Sequence, residues 1–264
     1  MDKIIVEGRS QKYGFDFCWA SDDHFVGEQI AQDTYESYES DLFLNCLSAD
    51  SVLVDVGANI GYYTLLASKK IIDGKIYCFE PNGQNFHLLE LNIVKNGIRN
   101  AVLSKSAISN ERGTKRLYLS KSNWGDHQLY SSSNRATENV EVDSIDNLDK
   151  AFIINPTVVK IDTQGLDYLV LKGMEQTIAK SHHLTVFTEF WIHGNNSAGI
   201  DSLDYFNTLH SLFDTVHFID EHQRATYPVS FEFVENECSK YEFMNHVNFL
   251  CVKGSQPLHQ AKID

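Results

Sequence analysis

The stretch DVGANIG, residues 55–61, sets two glycines four residues apart, directly after the aliphatic run Val52-Leu53-Val54. A buried strand feeding such a turn and then a helix presents backbone N–H groups at the strand's carboxyl end, where open α/β sheets bind ligands. Gly57 and Gly61 permit positive φ and let a ligand approach the main chain. The dinucleotide fingerprint G-x-G-x-x-G fails here, because Asn59 and Tyr62 stand where its other glycines belong. No Gly-Lys-Ser/Thr follows, so the P-loop fails too. Asp55 is expected to face the ligand, and a carboxylate suits a cationic amino group better than a pyrophosphate. Its other possible duty is to brace the turn. Glu80 ends the next apolar run and is placed to accept hydrogen bonds from a ribose diol, although nicotinamide-nucleotide sites also put an acid there. A ribose plus an ammonium group, without phosphate, describes S-adenosylmethionine (SAM).

Other residues could carry the chemistry of transfer. Methyl transfer from a sulfonium is an in-line displacement with a good leaving group, so the protein mainly positions the acceptor and removes its proton. Asp162, after the run Val158-Val159-Lys160-Ile161, would face the pocket near the methyl group; its alternative is a helix cap. His127 lies beside Asp126 in a polar stretch, and an imidazole titrates near neutrality, so it is a second candidate base. Asp126 could bind substrate or orient a partner. Glu189 closes another apolar run and could bind the acceptor. Trp191 and Trp124 could stack on a sugar face or serve as core aromatics. The scattered Asp126, Asp162 and Glu189 could together hold a hard cation such as Mg²⁺, a question that sequence spacing does not decide, so a divalent metal stays open. His182-His183 reads as surface.

These residues need a scaffold that places strand ends side by side. Apolar runs at 51–56, 75–81, 101–109, 157–163, 184–191, 215–220 and 246–253 read as strands. Stretches 62–70, 82–95, 166–180 and 202–213 read as helices, the second with Phe86, Leu89 and Val94 near one side and Asn96-Gly97 as its stop. This alternation predicts an α/β fold with a mostly parallel sheet and helices on both faces. Residues 116–120 and 139–145 alternate like strands and flank a polar segment, so about 110–156 is expected to be an insertion. Residues 1–50 are expected to form a helical or extended segment with a helix over 33–47 capped by Asp33, packed on the main domain or acting as a lid.

Several motifs in order support a family resemblance. VLVDVGANIGYYTLLAS (52–68) and KIYCFEPNGQNFHLLELNI (75–93) resemble the first two motifs of the FkbM family of SAM-dependent methyltransferases. NWGDHQLY (123–130), VKIDTQGLDYLVLKGM (159–174) and FTEFW (187–191) are similar to its later motifs, and DTYE (33–36) resembles a Tyr-Glu found before the domain in many members. The resemblance runs over about 33–252. It implies a Rossmann-like class I methyltransferase fold over 51–264: seven strands, mostly parallel, with an antiparallel last strand. It further implies SAM bound by Asp55, Gly57, Asn59, Gly61 and Glu80, with adenine near Ser106 and Ala107. Asp162 recurs as an active-site acid, His127 lies at the active-site edge, and the acceptor is a hydroxyl of a sugar, glycan or secondary metabolite, met by Asp126, Glu189 and Trp191. One departure is Ile192-His193, where the family often has proline. An NAD(P)-linked oxidoreductase is the alternative, weakened by the missing glycines and by the lack of a suitable Tyr-x-x-x-Lys pair; Tyr168 and Lys172 share one helix. A catalytically silent SAM-binding subunit is the third reading.

The 264 residues carry a net charge of -14, which disfavours nonspecific nucleic-acid or anionic-membrane binding. The five cysteines form no CxxC pair and suggest a reducing cytoplasm. No signal-peptide core and no membrane-length apolar stretch is evident, so a cytoplasmic protein is expected.

Overall fold

The structure, a computed structural model, describes residues 4–120, 123–131, 134–148, 155–240 and 246–254. The chain opens with a hairpin of β1 (Ile5–Ser10) and β2 (Phe15–Ala20), then α1 (Gly27–Ala31) and α2 (Ser37–Asn45). Alternating elements follow: β3 (Val52–Val56), α3 (Tyr62–Ala67), β4 (Lys75–Phe79), α4 (Gly83–Lys95) and β5 (Ala101–Ser104). Then come β6 (Ala107–Ile108), just before the insertion expected at about 110–156, and β7 (Gly113–Leu119) and β8 (Ala136–Asp143) within that range. Next come β9 (Val158–Ile161), α5 (Asp167–Lys172), α6 (Glu175–Lys180), β10 (Leu184–Phe190), α7 (Ile192–Ser197) and α8 (Ser202–Leu212). The chain ends with β11 (Thr215–Asp220), β12 (Ala225–Tyr227), α9 (Phe231–Ser239) and β13 (Val247–Lys253).

The main sheet has eight strands in the order β12-β11-β13-β10-β9-β3-β4-β5. Strands β5, β4, β3, β9 and β10 pair in parallel, and β13 runs antiparallel between β10 and β11. This is the expected Rossmann-like methyltransferase architecture with an antiparallel last strand. The count differs by one, because the short edge strand β12 pairs with β11. Alternation along the strands divides the core in two. Leu53, Cys78, Val158 and Phe187 face the N-terminal hairpin, α2, α3 and α4. Val54, Phe79, Val159 and Val186 face the side of α5, α6, α8 and α9. Both faces are covered, which is why these strands read as unbroken apolar runs.

Several local expectations fail for identifiable reasons. The run 101–109 is two strands: β5 belongs to the main sheet and β6 to a three-stranded sheet with β8 and β7. The segment 166–180 is two helices. Gly173 lies between them against the carbonyl of Ser109, where an added Cβ would come within 2.0 Å of the oxygen. Helix α2 begins at Ser37, not Asp33. Asp33 adopts φ 57° and its carboxylate takes the Ser10 hydroxyl and the N–H groups of Gln11 and Lys12. Val94 is 77% exposed; Leu88, Leu89 and Ile93 are the residues of α4 that face the core. The N-terminal hairpin was not anticipated. It is tied to the main domain by Asn92, whose carboxamide accepts from Cys18 N–H at 2.6 Å and donates to the carbonyls of Cys18 and Ile60. Among the described residues, no helix is long and apolar enough to cross a membrane.

Candidate active site

The glycine turn is fixed by its neighbours rather than by itself. Gly57 N–H and Ala58 N–H both donate to the Phe79 carbonyl, at 2.9 and 3.0 Å. Gly57 has φ 79°, and a Cβ there would lie 1.9 Å from the Asp162 carbonyl oxygen. A side chain at this position would therefore push the ends of β3 and β9 apart. Gly61 has φ 94°, and its Cβ would strike Leu89 at 2.7 Å. Asn59, at φ 52°, uses the tolerance of asparagine for the left-handed region. Its N–H donates to Glu80 Oε2 at 2.9 Å, while Asn82 N–H donates to Glu80 Oε1 at 2.8 Å. Two main-chain donors thus hold the Glu80 carboxylate rigid, and each oxygen retains a lone pair for a further donor. Burial pushes the Glu80 carboxyl up to about 7 despite the amides of Asn82 and Asn59.

A cavity of about 760 Å³ opens at the carboxyl ends of β3, β4, β9 and β10. It brings together Gly57, Asn59, Glu80, Ala107, Asp126, His127, Asp162, Glu189 and Trp191. Three other expected ligands lie off its wall. Asp55 shares a strand face with Leu53 and turns under α3, where its Oδ2 takes the Thr64 hydroxyl at 2.6 Å. Burial raises its carboxyl to about 6, against the Thr64 hydrogen bond and the nearby Lys160. Ser106 shares a hydrogen bond with Ser104 at 2.9 Å. Gly61 sits behind the turn, against Leu89.

The polar loop forms one side of the cavity. Asp126 is committed within it: Gln128 Nε2 and Arg135 Nη2 both reach its carboxylate at 2.5 Å, and Arg135 also donates to its carbonyl. Its charge is spent on holding the loop. His127 Nδ1 accepts the Ser120 N–H at 3.1 Å. Nδ1 therefore carries a lone pair, and in the neutral ring the proton sits on Nε2. In this tautomer Nε2 donates hydrogen bonds and cannot accept a proton. Trp124 is buried in the core cluster and also lines the cavity, and its carbonyl takes Asn85 Nδ2 at 2.9 Å. Trp191 is half-buried over Gly194.

The cavity wall also carries groups outside the expected site residues. Glu36, Tyr35 and Phe25 from the N-terminal segment and His246 before β13 all line the cavity. Behind them Lys160 is 2% exposed, and its Nζ lies 3.4 Å from Glu39 Oε1 and 4.9 Å from the centre of the Tyr63 ring. Burial pulls this lysine down, but Glu39, Glu36 and Asp162 outweigh it and hold the ammonium above its ordinary range. Glu189 is raised well above the usual carboxylate range, first by burial and then by Asp162 and Asp167. Asp162 Oδ1 takes Gln164 Nε2 at 2.8 Å. Tyr35 and Glu36 in the Tyr-Glu pair and Lys160 in Lys-Ile-Asp carried a signal in the sequence, as did Asp162 and Glu189, which were expected at the site. His246 had none. The cation site that Asp126, Asp162 and Glu189 could have formed is not assembled; among the described residues no three His, Cys, Asp or Glu side chains gather as metal ligands.

The site chemistry fits an adenosyl ligand. The buried carboxamide oxygens of Asn59 and Asn85, both on the cavity wall, have no hydrogen-bond partner. Acceptors left bare at this depth need a donor-bearing ligand to offset their desolvation. Glu80 beside them offers the geometry for a diol.

Residues 55–209 match the methyltransferase FkbM domain family. The hexuronic acid methyltransferase AglP of Haloferax volcanii is 27% identical over 146 residues, covering 55% of this chain and 59% of AglP. The chain thus spans under two thirds of that relative's length. Among solved structures, the precorrin-6y C5,15-methyltransferase of Geobacter metallireducens superposes with a TM-score of 0.47 at 15% identity, covering 83% of this chain and 88% of the other. An rRNA methylase of Streptococcus thermophilus gives 0.46 at 12% identity, covering 88% and 99%. The expected exclusion of nucleic-acid substrates gains no support from these comparisons. The family match spans more than half of the chain, with the glycine turn, Glu80 and Asp162 inside it, and the chain belongs to the FkbM methyltransferase domain family.

Proposed function

We propose that this methyltransferase uses SAM and methylates a hydroxyl of a sugar or related polyol. The observation that carries the reading is the pairing, in one cavity, of a rigid diol acceptor with carboxylates at the other end. Glu80 is locked by two backbone amides at the turn, and Asp162, Glu36 and Glu189 line the methyl-transfer end. When bound, SAM supplies an electrophilic methyl group on sulfur. Glu80 holds the ribose, and Asn59 and Asn85 accept its polar hydrogens. Ala107 sits where adenine would lie, with Ser106 supporting that turn from behind. Asp55 acts through Thr64 on the start of α3 rather than on the ligand directly.

The acceptor enters between the loop 123–131 and the N-terminal segment, which serves as the wall or lid over that end. Trp191 and Phe25 offer apolar faces for a sugar ring. His127, protonated on Nε2, donates to an acceptor oxygen and is not the base. Asp126 shapes the loop through Arg135. The sugar assignment rests on AglP, whose name specifies a hexuronic acid, and on the hydroxyl-bearing acceptors implied by family resemblance. Calorimetric titration with SAM, S-adenosylhomocysteine and NAD tests the donor. We expect micromolar binding of the first two, weakened at least tenfold in Glu80→Gln. Binding of NAD alone would reassign Glu80 to a nicotinamide-nucleotide ribose. Turnover on a panel of methyl glycosides, read as S-adenosylhomocysteine release, tests the acceptor.

A further inference from the structure

Glu36 stands where a helix normally places its capping residue, yet it does not cap. Its backbone is left-handed, φ 40° and ψ 49°, and its side chain makes no capping hydrogen bond. A glutamate with positive φ is strained, and strain of this kind persists only where surrounding structure enforces it. The capping duty is done from elsewhere. The Glu221 carboxylate, far along the chain, accepts the N–H groups of Tyr38 and Glu39 at 2.9 and 2.7 Å. Relieved of that task, Glu36 lines the cavity, and the Tyr63 hydroxyl, from the core behind it, donates to its Oε2 at 2.6 Å. Tyr63 belongs to the helix that starts at the glycine turn, so the same element that would seat the donor also aims this carboxylate.

We propose that Glu36, which lies outside the family-matched segment, is the general base that takes the acceptor's hydroxyl proton. The proposal rests on the methyltransferase function above. The acceptor O–H bond breaks as its proton passes to the Glu36 carboxylate. The oxygen forms the new O–CH₃ bond while the S–CH₃ bond breaks, and that electron pair stays on sulfur to leave a neutral thioether. Tyr63 holds Oε2 in place, which leaves Oε1 to receive the proton.

The electrostatic setting suits this task. Burial, followed by Glu39, raises the Glu36 carboxyl to about 8, while Lys160 pulls it down and Asp162 pushes it up. Tyr63 steadies the ionised form, and Tyr35, Tyr62 and Glu189 also feel the Glu36 charge. A base that titrates close to the working pH can accept and release a proton with little cost in either direction. Asp162, by contrast, is bonded to Gln164, and its main chain presses on the glycine turn, which suits a positioning role.

The test is the pH dependence of acceptor-stimulated S-adenosylhomocysteine release, with methyl glucoside and methyl glucuronide as acceptors. The parent rate should rise about tenfold per pH unit below 8 and level off above. Glu36→Gln should lower the rate by about 10²–10⁴-fold and abolish the limb. Glu36→Asp should keep the limb at a reduced rate, and all three proteins should bind S-adenosylhomocysteine alike. A parent-like limb in Glu36→Gln would overturn the assignment while leaving the methyltransferase reading intact. Failure of the parent to bind S-adenosylhomocysteine would instead strike that underlying reading. Independently of acceptor, carbon-13 NMR of glutamate carboxyls should show one resonance titrating near 8 that is missing from Glu36→Gln. If every glutamate in the parent titrates below 6, the proposal is wrong.

Discussion

Replacing Lys160 with methionine should unsettle the whole N-terminal side of the site. Lys160 is 2% exposed and Glu39 is fully buried, with 3.4 Å between Nζ and Oε1. At an effective dielectric of about 20, two unit charges at that separation attract by about 5 kcal/mol. Methionine keeps most of the buried volume but leaves Glu39, Glu36 and Asp162 without the cation that offsets them. Removing one partner of a buried pair costs about 3–5 kcal/mol, because the other charge stays desolvated. The loss has a ceiling, since Glu39 can escape by taking up a proton. Urea unfolding followed by tryptophan fluorescence should therefore show a deficit of about 3–5 kcal/mol at pH 8 that shrinks toward pH 5. The matching fall in Tm is about 6–20 °C. Lys160→Met with Glu39→Gln should recover much of it. A loss under about 1 kcal/mol, or one equal at both pH values, would refute the claim that this pair carries a charge balance. The same substitution should move the rising limb assigned to Glu36 to higher pH, because Lys160 pulls that carboxyl down.

Three further outcomes are expected. Gly57→Ala should lower stability by at least about 1–2 kcal/mol through the left-handed backbone alone, and should weaken SAM binding more than tenfold by parting β3 from β9; unchanged binding in calorimetry would contradict the 1.9 Å contact with the Asp162 carbonyl. Asn92→Ala removes three buried hydrogen bonds between the N-terminal hairpin, α4 and the glycine turn, and should cost about 2–4 kcal/mol in urea unfolding, with the hairpin amides losing hydrogen-exchange protection first. The ligand-free protein should lose stability as pH rises from about 5 to 8.5. Burial raises Asp55 and Asp167 to about 6, Glu80 to about 7 and Glu36 to about 8, so the folded chain holds protons that the unfolded chain has released. Their contribution is complete below the unfolded carboxylate range and is lost as pH climbs through these values; a Tm that increases from pH 5.5 to 8.5 would contradict this sign.

What the sequence displayed, and what it hid, follows from the range of the interactions involved. Strands buried on both faces had to be apolar throughout, so β3, β4, β9, β10, β11 and β13 were visible from composition and length. The edge strand β12 is three residues long and half-buried, too short to leave a pattern. The N-terminal hairpin is set by packing between its strands: Gly8 lies under the Trp19 ring, where a Cβ would come within 2.7 Å. That glycine weakens the strand signal locally because the constraint comes from eleven residues away. Asp55 illustrates a cue that was available. Period-two alternation puts it on the face of Leu53, toward α3, and not with the turn atoms that meet a ligand. Its bond to Thr64 is the consequence.

The catalytic end could be read only in part, because motifs report which groups are present and not which atoms remain open to a ligand. His127 is of a type suited to proton transfer, but the Ser120 N–H donated to Nδ1 leaves the neutral ring's proton on Nε2. Asp126 is of a type suited to bind a ligand, but Arg135 and Gln128 occupy its carboxylate. Glu36 falls inside the helix expected over 33–47, and its release for chemistry depends on Glu221, a residue from the far end of the sheet. This dependence has its own test. Glu221→Gln keeps the shape but weakens the charged cap on α2, a loss of about 0.5–2 kcal/mol for a capping contact. If Glu36 is aimed by that arrangement, Glu221→Gln should lower turnover more than it lowers stability, with S-adenosylhomocysteine affinity unchanged. Equal turnover in parent and variant would show that Tyr63 alone suffices to aim the carboxylate.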